Sequence, residues 1–169
     1  GLGVAAVRAG ALDVAVGQEA AGLHVEHLVA RLDLDEAPVA EVLREHAPTL
    51  NFDVSVPVAR IGECAARVRA NLERDWPQLQ ALFFGHVGDG NLHVVVCEVP
   101  QDEPSLHAIE AAVYDVVRDD GGSVSAEHGI GLLKRDWLAH SRSAAEIALM
   151  RTLKHALDPK GILNPGKLL

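Results

Sequence analysis

A chain of 169 residues and 18.0 kDa has room for one domain with its own apolar core and not for two comfortable ones. Its 49% hydrophobic and 23% charged residues describe a globular fold rather than a disordered tail. The balance of 24 acidic against 15 basic residues, net −9, argues against nucleic acid or an anionic membrane as partner. No run approaches the roughly 20 apolar residues of a membrane span, and Gly1-Leu2-Gly3 lacks the basic and apolar regions of a signal peptide. The two cysteines, Cys64 and Cys97, form no CxxC pair, so a reducing, cytoplasmic setting is expected. The first residue is Gly and not Met, which reads as the sign of a piece of a longer protein.

Residues 1–50 are rich in Ala and Val, interrupted by Gly3, Gly10, Gly17, Gly22, Pro38 and Pro48, and read as the remainder of something larger. From Phe52 the signals sharpen. Phe52, Val54 and Val56 alternate with Asp53 and Ser55, a strand that Pro57 closes at the start of a helix. That helix is expected to bury Val58, Ile61, Ala65, Val68 and Leu72 and to stop at Trp76-Pro77. Residues 81–87 and 91–99 predict two strands around Gly-Asp-Gly. A second helix carries Leu106, Ile109, Val113 and Val116 or Val117 on one face, and SVSA at 123–126 suggests a fourth strand. A last helix, about 143–157, aligns Ile147, Met150, Leu153 and Leu157 ahead of the ending DPKGILNPGKLL.

The order strand, helix, strand, strand, helix, strand predicts an α+β fold. It is a ferredoxin-like split βαβ antiparallel sheet with both helices on one face, plus the C-terminal helix. The expected division is 1–50 as an N-terminal remainder, 51–142 as the ferredoxin-like unit and 143–169 as helix and tail.

FFGHVGDGNLHVVV is the most informative segment. A two-residue Asp89-Gly90 loop, or a four-residue loop over 88–91, sets His86 opposite His93. Opposed Cβ atoms lie roughly 4.5–5.5 Å apart, near enough for two imidazoles to share a divalent cation. The plainer alternative is a pair of half-buried rings satisfied by backbone carbonyls, which leaves twice as many buried nitrogens to pair.

In SAEHGIG, Glu127 and His128 would point to opposite faces of a strand unless Gly129 and Gly131 bend it. Glu127 beside two His makes the two-His-one-carboxylate set of catalytic zinc and non-haem iron sites. His128 is then free for proton transfer, which suits an imidazole. The alternative is a surface dipeptide ahead of a helix. The other histidines, at 24, 27, 46, 107, 140 and 155, read as solvated, and Cys97 as a small core residue. Arg44, Arg60, Lys134, Arg135 and Lys167 are the cations that could meet a substrate carboxylate.

FGHVGDGNLH at 84–93, AEHGIGLLK at 126–134 and DPKGILNPGK at 158–167, with DVSVP at 53–57 ahead of them, carry a resemblance. They are similar to the C-terminal half of FAD-linked oxidases of the vanillyl-alcohol oxidase type, in the branch of D-lactate dehydrogenase, the glycolate oxidase D subunit and D-2-hydroxyglutarate dehydrogenase. The resemblance covers about residues 40–169. It implies a ferredoxin-like cap over a flavin, a divalent metal, zinc foremost, on His86, His93 and Glu127, and His128 as the base that takes the substrate hydroxyl proton. It further implies Arg44 as a substrate-carboxylate ligand and Asn164 as the residue approaching the flavin ring.

The family's FAD-binding domain is the implied partner, absent from these residues, so the chain alone is expected to be inactive. Members acting on 2-hydroxyglutarate carry Lys and Asn where this chain has Asn51 and Val95, so the expected substrate is a small D-2-hydroxy acid of lactate or glycolate type. Two other readings stand beside this one. The first is a free-standing zinc hydrolase using the same ligands. The second is a metal-free ferredoxin-like module that forms a homodimer.

Overall fold

A computed structural model describes residues 46–167 and 169. The expected N-terminal remainder up to residue 45, with Arg44, His24 and His27, lies outside the described residues. Strand β1 (Thr49–Ser55) leads through a short 3-10 turn into α1 (Ile61–Asp75). Strands β2 (Gln80–Phe84) and β3 (Asn91–Cys97) form the hairpin, and α2 (Glu103–Asp119) and α3 (Ala144–Leu157) follow. The fold is α+β, with an antiparallel sheet in the order β1-β3-β2.

Alternation along the strands decides the two faces. Leu50, Phe52 and Val54 of β1, Leu92, Val94 and Val96 of β3, and Ala81 and Phe83 of β2 all join the core. Ile61, Cys64, Val68 and Leu72 of α1 close over them, as do Ile109, Val113, Val116 and Val117 of α2. Each fully buried aliphatic side chain contributes about 1.5–3 kcal/mol. The apolar stripe of α1 starts one turn later than expected. Val58 sits exposed in the 3-10 turn and Cys64 takes the inward position.

Helix ends follow local chemistry. Trp76 caps α1 through its N–H to the Leu72 carbonyl, and Pro77 bars continuation. The Asp102 side chain accepts from Ser105 N at the start of α2. Ser143 and Glu146 form a reciprocal capping box at α3.

The expected fourth strand contracts to one antiparallel bridge, Ser55 with Ser123, on the free side of β1. That is where the last strand of a split βαβ sheet belongs. Beyond Ser123 the register slips by one residue: Ala126 N rather than Ser125 N donates to the Asp53 carbonyl of β1, and Ser125 N turns to Ser123 Oγ. That slip ends the regular ladder after one step. Gly122 makes the approach possible, because a Cβ there would lie 2.3 Å from the Ser55 carbonyl oxygen.

No helix among the described residues is long and apolar enough to cross a membrane. Helix α3 buries none of its residues, and its Leu153 and Leu157 are exposed. With Met150, Ile130, Leu163 and Asn164 they line a cleft of about 470 Å³.

Candidate functional site

The site grows on the sheet face turned away from α1 and α2. Asp53, His93 and Phe84 form one row across it, since β1 pairs Asp53 with His93 and β2 pairs Phe84 with His93. The expected pairing of His86 with His93 is therefore displaced by two residues. Val87–Asp89 coil into a 3-10 turn and Gly90 takes φ 75°, so the hairpin closes on His86 and Asn91, whose N–H donates to the His86 carbonyl. A shift of two preserves the face. His86 and His93 remain diagonal neighbours with ring centroids 6.5 Å apart.

The loop after Ser123 brings in the second motif. Gly129 and Gly131 adopt φ 77° and 56°, supplying the bend that lets Glu127 and His128 serve one region. The His128 ring lies 6.1 Å from that of His93.

Asp53 organises this cluster and was not singled out by the sequence reading. Its side chain is 1% exposed, and its Oδ2 accepts from Glu127 N at 2.9 Å, His128 N at 2.8 Å and Ser125 Oγ at 3.3 Å. Its carbonyl accepts from Lys134 Nζ at 3.1 Å, and that ammonium sits 3.8 Å from Oδ2. Burial alone would push the Asp53 carboxyl up; the His128 and Glu127 N–H groups, with the charges of Lys134 and His128, outweigh it and hold the group below the usual carboxylate range. Burial pushes His93 and Lys134 down, against the attraction of Asp53 in each case. Lys134 is therefore the internal counter-ion of Asp53. A signal for Asp53 existed: an acidic residue at the centre of an otherwise apolar alternation.

Donor atoms of Asp53, Glu127 and His128 lie within 4.8 Å of one another. Two buried oxygens next to His93, Asp53 Oδ1 and Asn91 Oδ1, have no hydrogen-bond partner. Imidazole and carboxylate donors gathered in this way suit a divalent cation. Two imidazoles on one zinc ion hold their centroids about 5–6 Å apart, as follows from Zn–N bonds of about 2.0–2.1 Å. The exposed His86 ring stands farther from His93, at 6.5 Å, than two ligands of one ion would.

The other candidate cations have separate engagements. Arg60 pairs with Asp120, and Arg135 donates to the Gly166 carbonyl. Among the histidines expected to be solvated, His140 is instead packed edge-on against Trp137, 3.1 Å from Asp115 Oδ1.

Asn164 stands at φ 47°, a left-handed conformation that Asn tolerates. Asp158 builds that turn, accepting from Ile162 N and Leu163 N and pairing with Lys154. The Lys154 ammonium and those two N–H groups hold its carboxyl down at about 2. An unfolded Asp titrates near 3.9, so the stabilisation is present above about pH 4 and is lost as the pH falls toward about 2. Asp158→Asn is expected to lower Tm at neutral pH and to remove that part of the acid dependence, read by thermal melts from pH 2 to 7.

A family model described as "FAD linked oxidases, C-terminal domain" matches residues 5–168, and the chain belongs to this family. It is 37% identical over 135 residues to a D-2-hydroxyglutarate dehydrogenase of Stutzerimonas stutzeri (strain A1501), covering 77% of this chain and 29% of that protein. It is 43% identical over 137 residues to one from Xanthomonas citri pv. viticola, covering 77% and 28%. To the mitochondrial D-2-hydroxyglutarate dehydrogenase of Danio rerio it is 41% identical over 131 residues, covering 78% and 24%. The chain thus spans less than a third of the length of these curated relatives.

Proposed function

We infer that the chain is the substrate-binding cap of a flavin-dependent enzyme that oxidises a D-2-hydroxy acid to the 2-oxo acid. What supports this is that His93, Glu127 and His128 lie about the buried Asp53, with the His86 ring 6.5 Å from that of His93, in a chain of the FAD-linked oxidase family. His86, His93 and Glu127 would hold a divalent cation, zinc foremost, which lowers the pKa of a bound hydroxyl and neutralises a carboxylate. His128 would accept the proton of the C2 hydroxyl as hydride departs from C2, so that a hydride, carrying both electrons, and one separate proton leave and a carbonyl remains. FAD, held by a flavin-binding domain outside these residues, supplies the hydride acceptor. Arg44 is assigned to the substrate carboxylate and Asn164 to the edge of the flavin. The buried, unpaired Cys64 and Cys97 suit a reducing compartment such as the cytoplasm.

For the substrate we favour an acid of lactate or glycolate size. Asn51 and Val95 pair directly across β1 and β3, one step along the same face from Asp53 and His93, and neither brings a cation for a second carboxylate. The names of the relatives favour D-2-hydroxyglutarate as a second reading.

The test has two arms. The 169-residue chain alone is expected to bind zinc, to lose that binding in Glu127→Gln and His93→Ala, and to show neither flavin absorbance nor turnover. Joined to a flavin-binding domain of the family, it is expected to reduce a dye acceptor with D-lactate or D-glycerate faster than with D-2-hydroxyglutarate. A yellow, active preparation of the chain alone would overturn the cap assignment, and a preference for the dicarboxylate would select the second reading.

A further inference from the structure

We propose that Asp53 is a positioning residue that fixes the His93 tautomer with one oxygen and the Glu127–His128 backbone with the other. The proposal deepens the metal-site reading above and rests on it. Oδ2 is fully engaged, taking two backbone N–H groups and the Ser125 hydroxyl. Oδ1 is buried with no partner and lies 3.9 Å from His93 Nδ1.

An orphaned carboxylate oxygen in that position is costly unless a donor closes on it. His93 Nδ1 stands beyond hydrogen-bond length from that oxygen, and a proton on it would make the ring the donor that closes the gap. The Asp53 carboxylate, which can only accept, selects one state of the ring, Nδ1–H toward Oδ1 with Nε2 unprotonated.

A metal-binding histidine needs that state, with a carboxylate behind it to raise ligand basicity. The same carboxylate ties the strand-borne His93 to a loop-borne pair that lies 74 and 75 residues beyond Asp53 in sequence. Lys134 keeps the group ionised without touching His93, since its ammonium lies against Oδ2 and the Asp53 carbonyl. A purely structural Asp53 would act through its Oδ2 bonds and its charge beside Lys134, neither of which sets the His93 tautomer.

The experiment uses the 169-residue chain. Imidazole ¹⁵N shifts report the His93 tautomer, competition with a chromophoric chelator reports zinc affinity, and thermal melts report folding, in wild type, Asp53→Asn and His93→Ala. Expected is an Nδ1–H tautomer in the metal-free wild type that is lost in Asp53→Asn. Zinc affinity should fall about 10–100-fold in that variant, the range for removing a carboxylate behind a metal-bound histidine. Unchanged tautomer and zinc affinity in a folded Asp53→Asn chain would overturn the proposal. Should that variant fail to fold, an Nε2–H tautomer in the wild type overturns it and an Nδ1–H tautomer supports it. Absence of zinc binding by wild type, or full binding by His93→Ala, would remove the metal reading, and the tautomer measurement then decides the role of Asp53 on its own.

Discussion

His128→Ala, in the chain joined to a flavin-binding domain, is expected to lower kcat for the 2-hydroxy acid by about 10²–10⁴-fold, the usual contribution of a positioned general base. Stability should barely change, within about 0.5 kcal/mol. The side chain is 65% exposed and its ring N stands 3.7 Å from Asp53 Oδ2, beyond hydrogen-bond length, whereas its backbone N–H, which any residue keeps, makes the 2.8 Å bond. Zinc affinity should also survive, because the proposed ligands are His86, His93 and Glu127. The pH profile of kcat/KM should lose the limb due to the base. A variant retaining activity within about threefold of wild type would place the base elsewhere.

The parts of this site that sequence made legible are those within one short stretch. The shared face of His86 and His93 follows from alternation and one turn, and it survives a register displaced by two because the side-chain period is two. The displacement itself was not legible. It depends on Val87–Asp89 coiling rather than continuing the strands, a choice set by Gly90 at positive φ and by the Asn91 N–H finding the His86 carbonyl. Asp53 was harder still. Its partners Glu127, His128 and Lys134 lie more than seventy residues away, and only the pairing of β1 with β3 puts it beside His93. The fourth strand is shortened by a one-residue slip against β1, Ala126 N taking the Asp53 carbonyl while Ser125 N turns to Ser123 Oγ, which alternation alone does not reveal. Helices were legible nearly to their ends, since a cap or a proline acts within one turn.

Asp120→Ala is expected to be the most destabilising single substitution away from the apolar core, by about 2–3 kcal/mol. Asp120 ends α2, and its fully buried Oδ1 lies 2.7 Å from both Arg60 Nη2 and Arg67 Nη1, clamping α1 to the C-terminal end of α2. Removing one partner of a wholly buried ion pair costs about 3–5 kcal/mol. The guanidiniums here keep 41% and 37% exposure, so water recovers part of their solvation and the expected loss is smaller.

A change of that size lowers Tm by about 5–10 °C in a domain of this length. Arg60→Ala or Arg67→Ala alone should cost less than half as much, because the second guanidinium stays on the carboxylate. The neighbouring Cys64 thiol is pushed up to about 12 by burial and then by the Asp120 charge, so it should resist alkylation in the folded wild type and become reactive as the clamp is lost.

The site should feel the change as well. Asp120 runs directly into Gly121, Gly122 and the Ser123 bridge from which the Glu127–His128 loop hangs. Zinc affinity is therefore expected to fall together with Tm in Asp120→Ala, whereas in Asp53→Asn it should fall in a chain that remains folded. Melting curves and zinc titrations on the same preparations separate the two. An Asp120→Ala chain that melts within 1 °C of wild type would show that the clamp carries none of the load between α1 and α2.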